Sequence, residues 1–357
     1  MSQGQPPQPH SVIELKVDEL LERYKIEAHD VIVELIDFQP EEQSQLGPLL
    51  RTDHTIPCIP GSDPPQPSLL LHKLGELEHS KSESYAYIEN HKYIGPTAFY
   101  GTSGAGKTRS LLEYLSHNKG LYFVPLETIP ENEPGSQDLG LVFDDLRPLR
   151  GNETDIARTN DENLGIVRDR LMVVLYIRYA VHQHVVKLLN RDISAKEWLL
   201  MQLYPKHFLG GLDIFYEIAA KCFGVMDRDP IHMAGAAKVA FLSFVGSGIK
   251  WGAVVVDESQ ALMRNHKLYF VSDDNTAVQR SGFSALLKAF ARIIYSHALA
   301  GHDKVMPYPT FFRNRIVCGR AQARNNVDLH ETLWGNGQCS LYCISSTHTS
   351  ECHQLHV

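Results

Sequence analysis

A chain of 357 residues, 43% hydrophobic and 21% charged, can bury a large core and has the balance of a globular protein. Its net charge of −8 and isoelectric point near 6.1 provide no overall field for nucleic acid or anionic lipid, so only a local basic groove could serve such a ligand. No secretory signal opens the chain, charges such as Arg178 break every long apolar run, and the six cysteines form no C-x-x-C pair. An intracellular place, cytoplasmic or nuclear, with no membrane association is therefore expected.

Residues 1–67 read as an N-terminal segment. Val12, Ile13, Leu15, Val17, Leu20 and Leu21 recur at helical spacing, an apolar run follows at Val31 to Phe38, and prolines 57, 60, 64, 65 and 67 make a linker. Ser68 looks like a helix N-cap before Leu69, Leu70 and Leu71, and it opens the main domain, assigned to residues 68–330.

The sequence Gly101-Thr102-Ser103-Gly104-Ala105-Gly106-Lys107-Thr108 fits the phosphate-binding loop template of Gly, four residues, Gly-Lys-Ser/Thr. An extended run (Thr97 to Tyr100) precedes it and a helical one (Arg109 to Leu115) follows, which is the setting the template needs. Its glycines permit positive φ and close backbone approach, so that successive N–H groups can converge on a triphosphate at the positive end of the helix. Lys107 would reach the β- and γ-phosphates, and the Thr108 hydroxyl would take one Mg²⁺ position. Residues 101–109, ending on Arg109, form the expected nucleotide-binding set.

Gly120 is expected to end that helix, and Leu121 to Val124 read as a second buried strand. A strand, loop, helix, strand order predicts a right-handed crossover in a parallel sheet. Residues 126–163 read as acidic loop. A long apolar helix is predicted from Leu164 to Asn190, and shorter ones around Glu197 to Leu203 and Leu212 to Phe223. Together they make a helical insertion at about residues 160–245.

The run Trp251 to Gln260 holds a β-branched stretch that suits a strand buried on both faces and ends in Asp257 and Glu258. Ligands in open α/β sheets bind at such strand ends. Asp257 would join Thr108 in holding Mg²⁺, and Glu258 could polarise the water that attacks the γ-phosphate. A competing run, Leu139 to Asp145, also ends in two carboxylates, but it includes the strand-weakening Gly140 and offers no Glu. Asn118-Lys119 continues as Gly120-Leu121 rather than as a guanine-reading Asn-Lys-x-Asp motif, so ATP is the expected nucleotide. Ser281 to Ala300 reads as a helix and Ile316 to Cys318 as a further sheet strand, after which Arg320 is the candidate for stabilising transition-state charge. A solvated basic face of Arg313, Arg315, Arg320 and Arg324 competes with that role. The 331–357 tail is expected to be disordered. It carries Cys339, Cys343, His348, Cys352, His353 and His356 at spacings that match no zinc template.

The loop Gly101 to Arg109, the strand Leu121 to Val124, the Trp-Leu-Leu-x-Gln-Leu-x-Pro element (Trp198 to Pro205) and the Asp-Glu-x-Gln strand end (Asp257 to Gln260) together resemble the P-loop ATPase module of fungal Crinkler-type and retrotransposon-hot-spot proteins. The resemblance spans about residues 95–320. It implies an AAA-like or STAND-like P-loop NTPase fold, an α/β three-layer arrangement with a parallel sheet. No Leu-Phe-Leu-Ala-Lys translocation header and no C-terminal nuclease domain are found, so secretion and nuclease activity are not implied. Two functions remain open: Mg²⁺-dependent ATP hydrolysis with Lys107, Glu258 and Arg320 as catalytic groups, and a slow nucleotide switch that changes contacts with a protein partner or a second copy of the chain.

Overall fold

A computed structural model describes residues 12–24, 59, 66, 68–76, 97–100, 106–126, 129, 133–209, 211–227, 230–246, 253–264, 266–272, 276, 278–300 and 316–321. Four short strands carry the site: β1 (Thr97–Tyr100), β2 (Leu121–Phe123), β3 (Val254–Val256) and β4 (Ile316–Ala321). They form one parallel sheet in the spatial order β1-β4-β3-β2. The predicted Ile316 strand thus lies in the centre, hydrogen-bonded to both β1 and β3. Between β1 and β4 the register slips, Ala98 facing Cys318 but Tyr100 facing Ala321. One extra residue of β4 is accommodated there, a bulge at the C-terminal end of the sheet.

Helix α1 (Val12–Tyr24) buries Ile13, Val17, Leu20 and Leu21 and packs against helices that lie between β2 and β3 in sequence. The boundary drawn at residue 67 separates it in sequence but not in packing. Helix α2 (Lys107–His117) follows β1 and packs on β4. Gly120 stands after it without positive φ. A Cβ there would come within 2.5 Å of the Leu115 side chain and 2.6 Å of the Ala253 carbonyl, so close approach to β3, rather than a left-handed helix end, requires the glycine.

Four longer helices occupy the β2–β3 connection: α3 (Glu153–Leu189), α4 (Ala195–Leu203), α5 (Ile214–Met226) and α6 (Pro230–Gly246). Helix α3 begins eleven residues earlier than its apolar periodicity indicates. Asn152 caps it, its side chain accepting from Asp155 N–H, and the buried residues of the early turns are polar. Asn163 exchanges hydrogen bonds with the Arg147 backbone and donates to the Tyr269 carbonyl, and Asn160 accepts from Val271 N–H. A face that binds loops through amides is invisible to a hydrophobic pattern.

Two further expectations are corrected. Residues 69–75 form consecutive turns rather than a helix after Ser68, with Leu71 N–H on the Ser68 carbonyl and Leu74 N–H on the Leu71 carbonyl. The competing carboxylate run is a 3-10 helix (Gln137–Phe143), not a strand. Arg170 donates to the carbonyl of Leu141 in the last turn of that helix and, past its end, to the Asp144 carbonyl and the Asp145 carboxylate. After β3 come the short α7 (Gln260–Arg264) and α8 (Gly282–Ala300), the latter packed against α3. One continuous apolar core runs from Ile13 to Ile293 and joins the sheet to its helices. No helix among the described residues is long and apolar enough to cross a membrane.

Candidate functional site

The site is assembled at the C-terminal ends of the strands. Gly106 sits immediately before α2 with φ 76° and ψ 10°, a left-handed conformation that favours glycine, and no side chain caps the helix. Lys107, Thr108 and Arg109 therefore begin α2 with backbone N–H groups directed out of its N-terminus, where the helix dipole adds positive potential. Among the described residues nothing lies within 4 Å of a Cβ built on Gly106, so its requirement is conformational. Gly101, Thr102, Ser103, Gly104 and Ala105 lie outside the described residues.

Asp257 arrives from the other side. Strand β3 pairs with β2 in the register Leu121 to Val254, Tyr122 to Val255 and Phe123 to Val256, and Asp257 N–H continues the ladder onto the Phe123 carbonyl. The Asp257 carboxylate is 2% exposed. Its Oδ2 accepts the Thr108 hydroxyl at 2.8 Å and the Tyr122 hydroxyl at 3.1 Å, while Oδ1 accepts the Glu258 N–H at 3.0 Å. Burial first, then the adjacent carboxylate, pushes the Tyr122 phenol well above its ordinary pKa, so it stays a proton donor throughout the working range.

Glu258 leaves the strand at φ 52°, unusual for a residue with a side chain, and its carboxylate accepts from Gln260 Nε2. Simple alternation from β3 therefore does not describe its direction. Arg320 lies two residues beyond Cys318, which pairs with Val256, so its backbone stands at the same end of the sheet; its side chain lies outside the described residues. The Cys/His tail from Cys339 to His356 lies outside them as well.

Arg109 has its guanidinium engaged away from Asp257. It donates to the carbonyls of Leu70 and Lys73 at 2.6 and 2.9 Å and to Glu113 at 3.0 Å, and Glu113 also accepts from Gly75 N–H. Its side chain ties the turns at 68–76 to α2, so the guanidinium is committed to that contact rather than to a phosphate.

Two residues of the site are absent from the expected set. Tyr122 was legible only as part of a buried strand, although a phenol in an otherwise apolar run signals a need for a polar partner. Gln202, on α4, closes the outer edge of β2: its Oε1 accepts from Tyr122 N–H and its Nε2 donates to the Gly120 carbonyl, both at 3.0 Å. Trp198 Nε1 donates to that same carbonyl at 3.0 Å. Side chains thus take the place of a neighbouring strand.

A hydroxyl and a carboxylate bridged by 2.8 Å form a hard oxygen donor pair, which suits Mg²⁺. Among the described residues no cluster of three or more His, Cys, Asp or Glu side chains could cage a metal with protein ligands alone. Mg²⁺ commonly takes one or two protein oxygens and completes its shell with phosphate and water, so this sparse set fits it. Comparison with protein-family models, with curated proteins and with solved structures returned no match to this chain.

Proposed function

We propose that this chain is a P-loop ATPase of the three-layer α/β type, binding ATP with Mg²⁺ and hydrolysing its β–γ phosphoanhydride. The observation that carries the proposal is the 2.8 Å hydrogen bond from Thr108 to Asp257. It joins the end of the glycine-lysine-threonine motif to the carboxylate at the end of a buried strand. Support also comes from the sheet, in which β4 separates β1 from β3 while the strand ends still converge on one site. That convergence is where α/β sheets bind ligands.

In this mechanism the backbone N–H groups at the start of α2 and the Lys107 ammonium hold the phosphates. Thr108 and Asp257 would hold Mg²⁺, which when bound would neutralise phosphate charge. Glu258 orients the attacking water and accepts its proton, and Arg320 supplies positive charge to the transition state. The resemblance to Crinkler-type ATPase modules agrees with this assignment and suggests that hydrolysis drives a conformational or assembly change, with a protein partner or a second copy as the responder, inside the cell.

A specific observation favours a second function, a slow nucleotide switch. The Glu258 carboxylate is engaged by Gln260 and the residue is held at positive φ, so the base must be released before it can serve water. Turnover at saturating ATP, with size measured in ATP and in ADP, separates the two. The decisive test of both is nucleotide binding by the purified chain beside Lys107→Ala. Loss of affinity in the variant is expected, and equal binding by the pair rules out the pocket.

A further inference from the structure

Three donors from three elements hold the Asp257 carboxylate. Thr108 reaches it from α2, Glu258 N–H from the turn after β3, and Tyr122 from β2. The first is the donor whose oxygen must also serve a metal. Tyr122 has no such second duty: it is 1% exposed, its ring is enclosed in the core, and its backbone N–H is fixed by Gln202. A carboxylate on a single methylene turns about two bonds, and only a directional partner keeps its oxygens aimed.

We propose that Tyr122 is the positioning residue of the metal site, its hydroxyl aiming the Asp257 carboxylate from the neighbouring strand and so setting the affinity for Mg²⁺. This rests on the ATP-binding proposal above. Outer partners that orient a ligating group typically change metal affinity by about 10–100-fold when removed. Because Tyr122 does not face the phosphates through any described contact, its hydroxyl should matter for the metal and not for metal-free nucleotide.

The test is ATP binding by the full chain, wild type and Tyr122→Phe, followed by titration calorimetry in EDTA and then across a series of free Mg²⁺ concentrations. Phenylalanine keeps the ring in the core, and the midpoints do not depend on the fraction of protein that is folded. The expected result is metal-free affinity within about twofold of wild type and a Mg²⁺ midpoint raised about tenfold. In an Asp257→Asn background the same substitution should shift the midpoint no further, since there is no ligating carboxylate left to aim. An unchanged midpoint in Tyr122→Phe, with wild-type binding intact, overturns the positioning role and leaves the ATP proposal standing. An equal loss with and without Mg²⁺ also overturns it, by showing a purely structural role. Binding that is absent in wild type, or unaltered by Lys107→Ala, removes the nucleotide site and this inference together.

Discussion

The Thr108 hydroxyl donates to Asp257 Oδ2 at 2.8 Å, joining residues 149 positions apart. A hydrogen bond to a buried carboxylate is short and about twice as strong as a neutral one. Thr108→Val and Asp257→Asn should therefore not act additively. In a double-mutant cycle read from Mg²⁺-dependent ATP affinity, a coupling of about 1–3 kcal/mol is expected. Strict additivity would mean that the two side chains do not share a ligand.

Glu258→Gln should leave ATP affinity near wild type and lower turnover by about 10²-fold or more, because general-base assistance typically contributes that much. Phosphate release under saturating ATP is the measurement. Unchanged hydrolysis would assign the base elsewhere.

Gln202 serves two backbone groups at the edge of β2, so Gln202→Leu keeps the volume and strands the Tyr122 N–H. A buried donor left unsatisfied costs about 1–3 kcal/mol, which should appear as a lower midpoint in urea unfolding. Trp198 still serves the Gly120 carbonyl in that variant, so the loss should be smaller than in Gln202→Leu combined with Trp198→Phe.

Arg178 and Asp138 form a fully buried pair, with Nε on Oδ2 and Nη2 on Oδ1, each at 2.8 Å. The guanidinium lies 4.9 Å from the Phe123 ring centroid and 3.9 Å from that of Phe215, which links α3 to β2 and α5. Arg178→Met should cost about 3–5 kcal/mol by leaving Asp138 charged and unpaired. Arg178→Met with Asp138→Leu should recover much of that loss, as chemical denaturation of the wild type and both variants will show.

His182 stands edge-on to Trp198, and burial pushes its pKa down to about 4. The unfolded chain takes up a proton near pH 6.5, whereas the folded one resists until about pH 4. Stability is therefore present above pH 6.5 and lost as pH falls through that window, by about 2 kcal/mol between pH 7 and pH 5. His184, also lowered by burial, adds in the same direction. His182→Gln should flatten the pH dependence of the unfolding free energy, and an equally steep profile would place the titration on other groups.

The sequence by itself determined the local features. Gly106, Lys107 and Thr108 stand adjacent in the chain, Val254 to Val256 form an unbroken β-branched run, and α1, α4 and α8 carry apolar residues at helical spacing. Each is written in neighbouring residues, so its signal survives without knowledge of the fold. The tertiary structure alone decided what meets what. It set β4 between β1 and β3, brought Tyr122 to Asp257, and turned Gln202 into a substitute for a missing strand. It also began α3 at Glu153 through amides that bind distant loops. These relationships are hydrogen bonds between groups tens to more than a hundred residues apart, made by polar side chains in buried places. Such bonds leave no periodicity in the chain, because what satisfies each group is not its neighbour in sequence but whatever packing brings within reach.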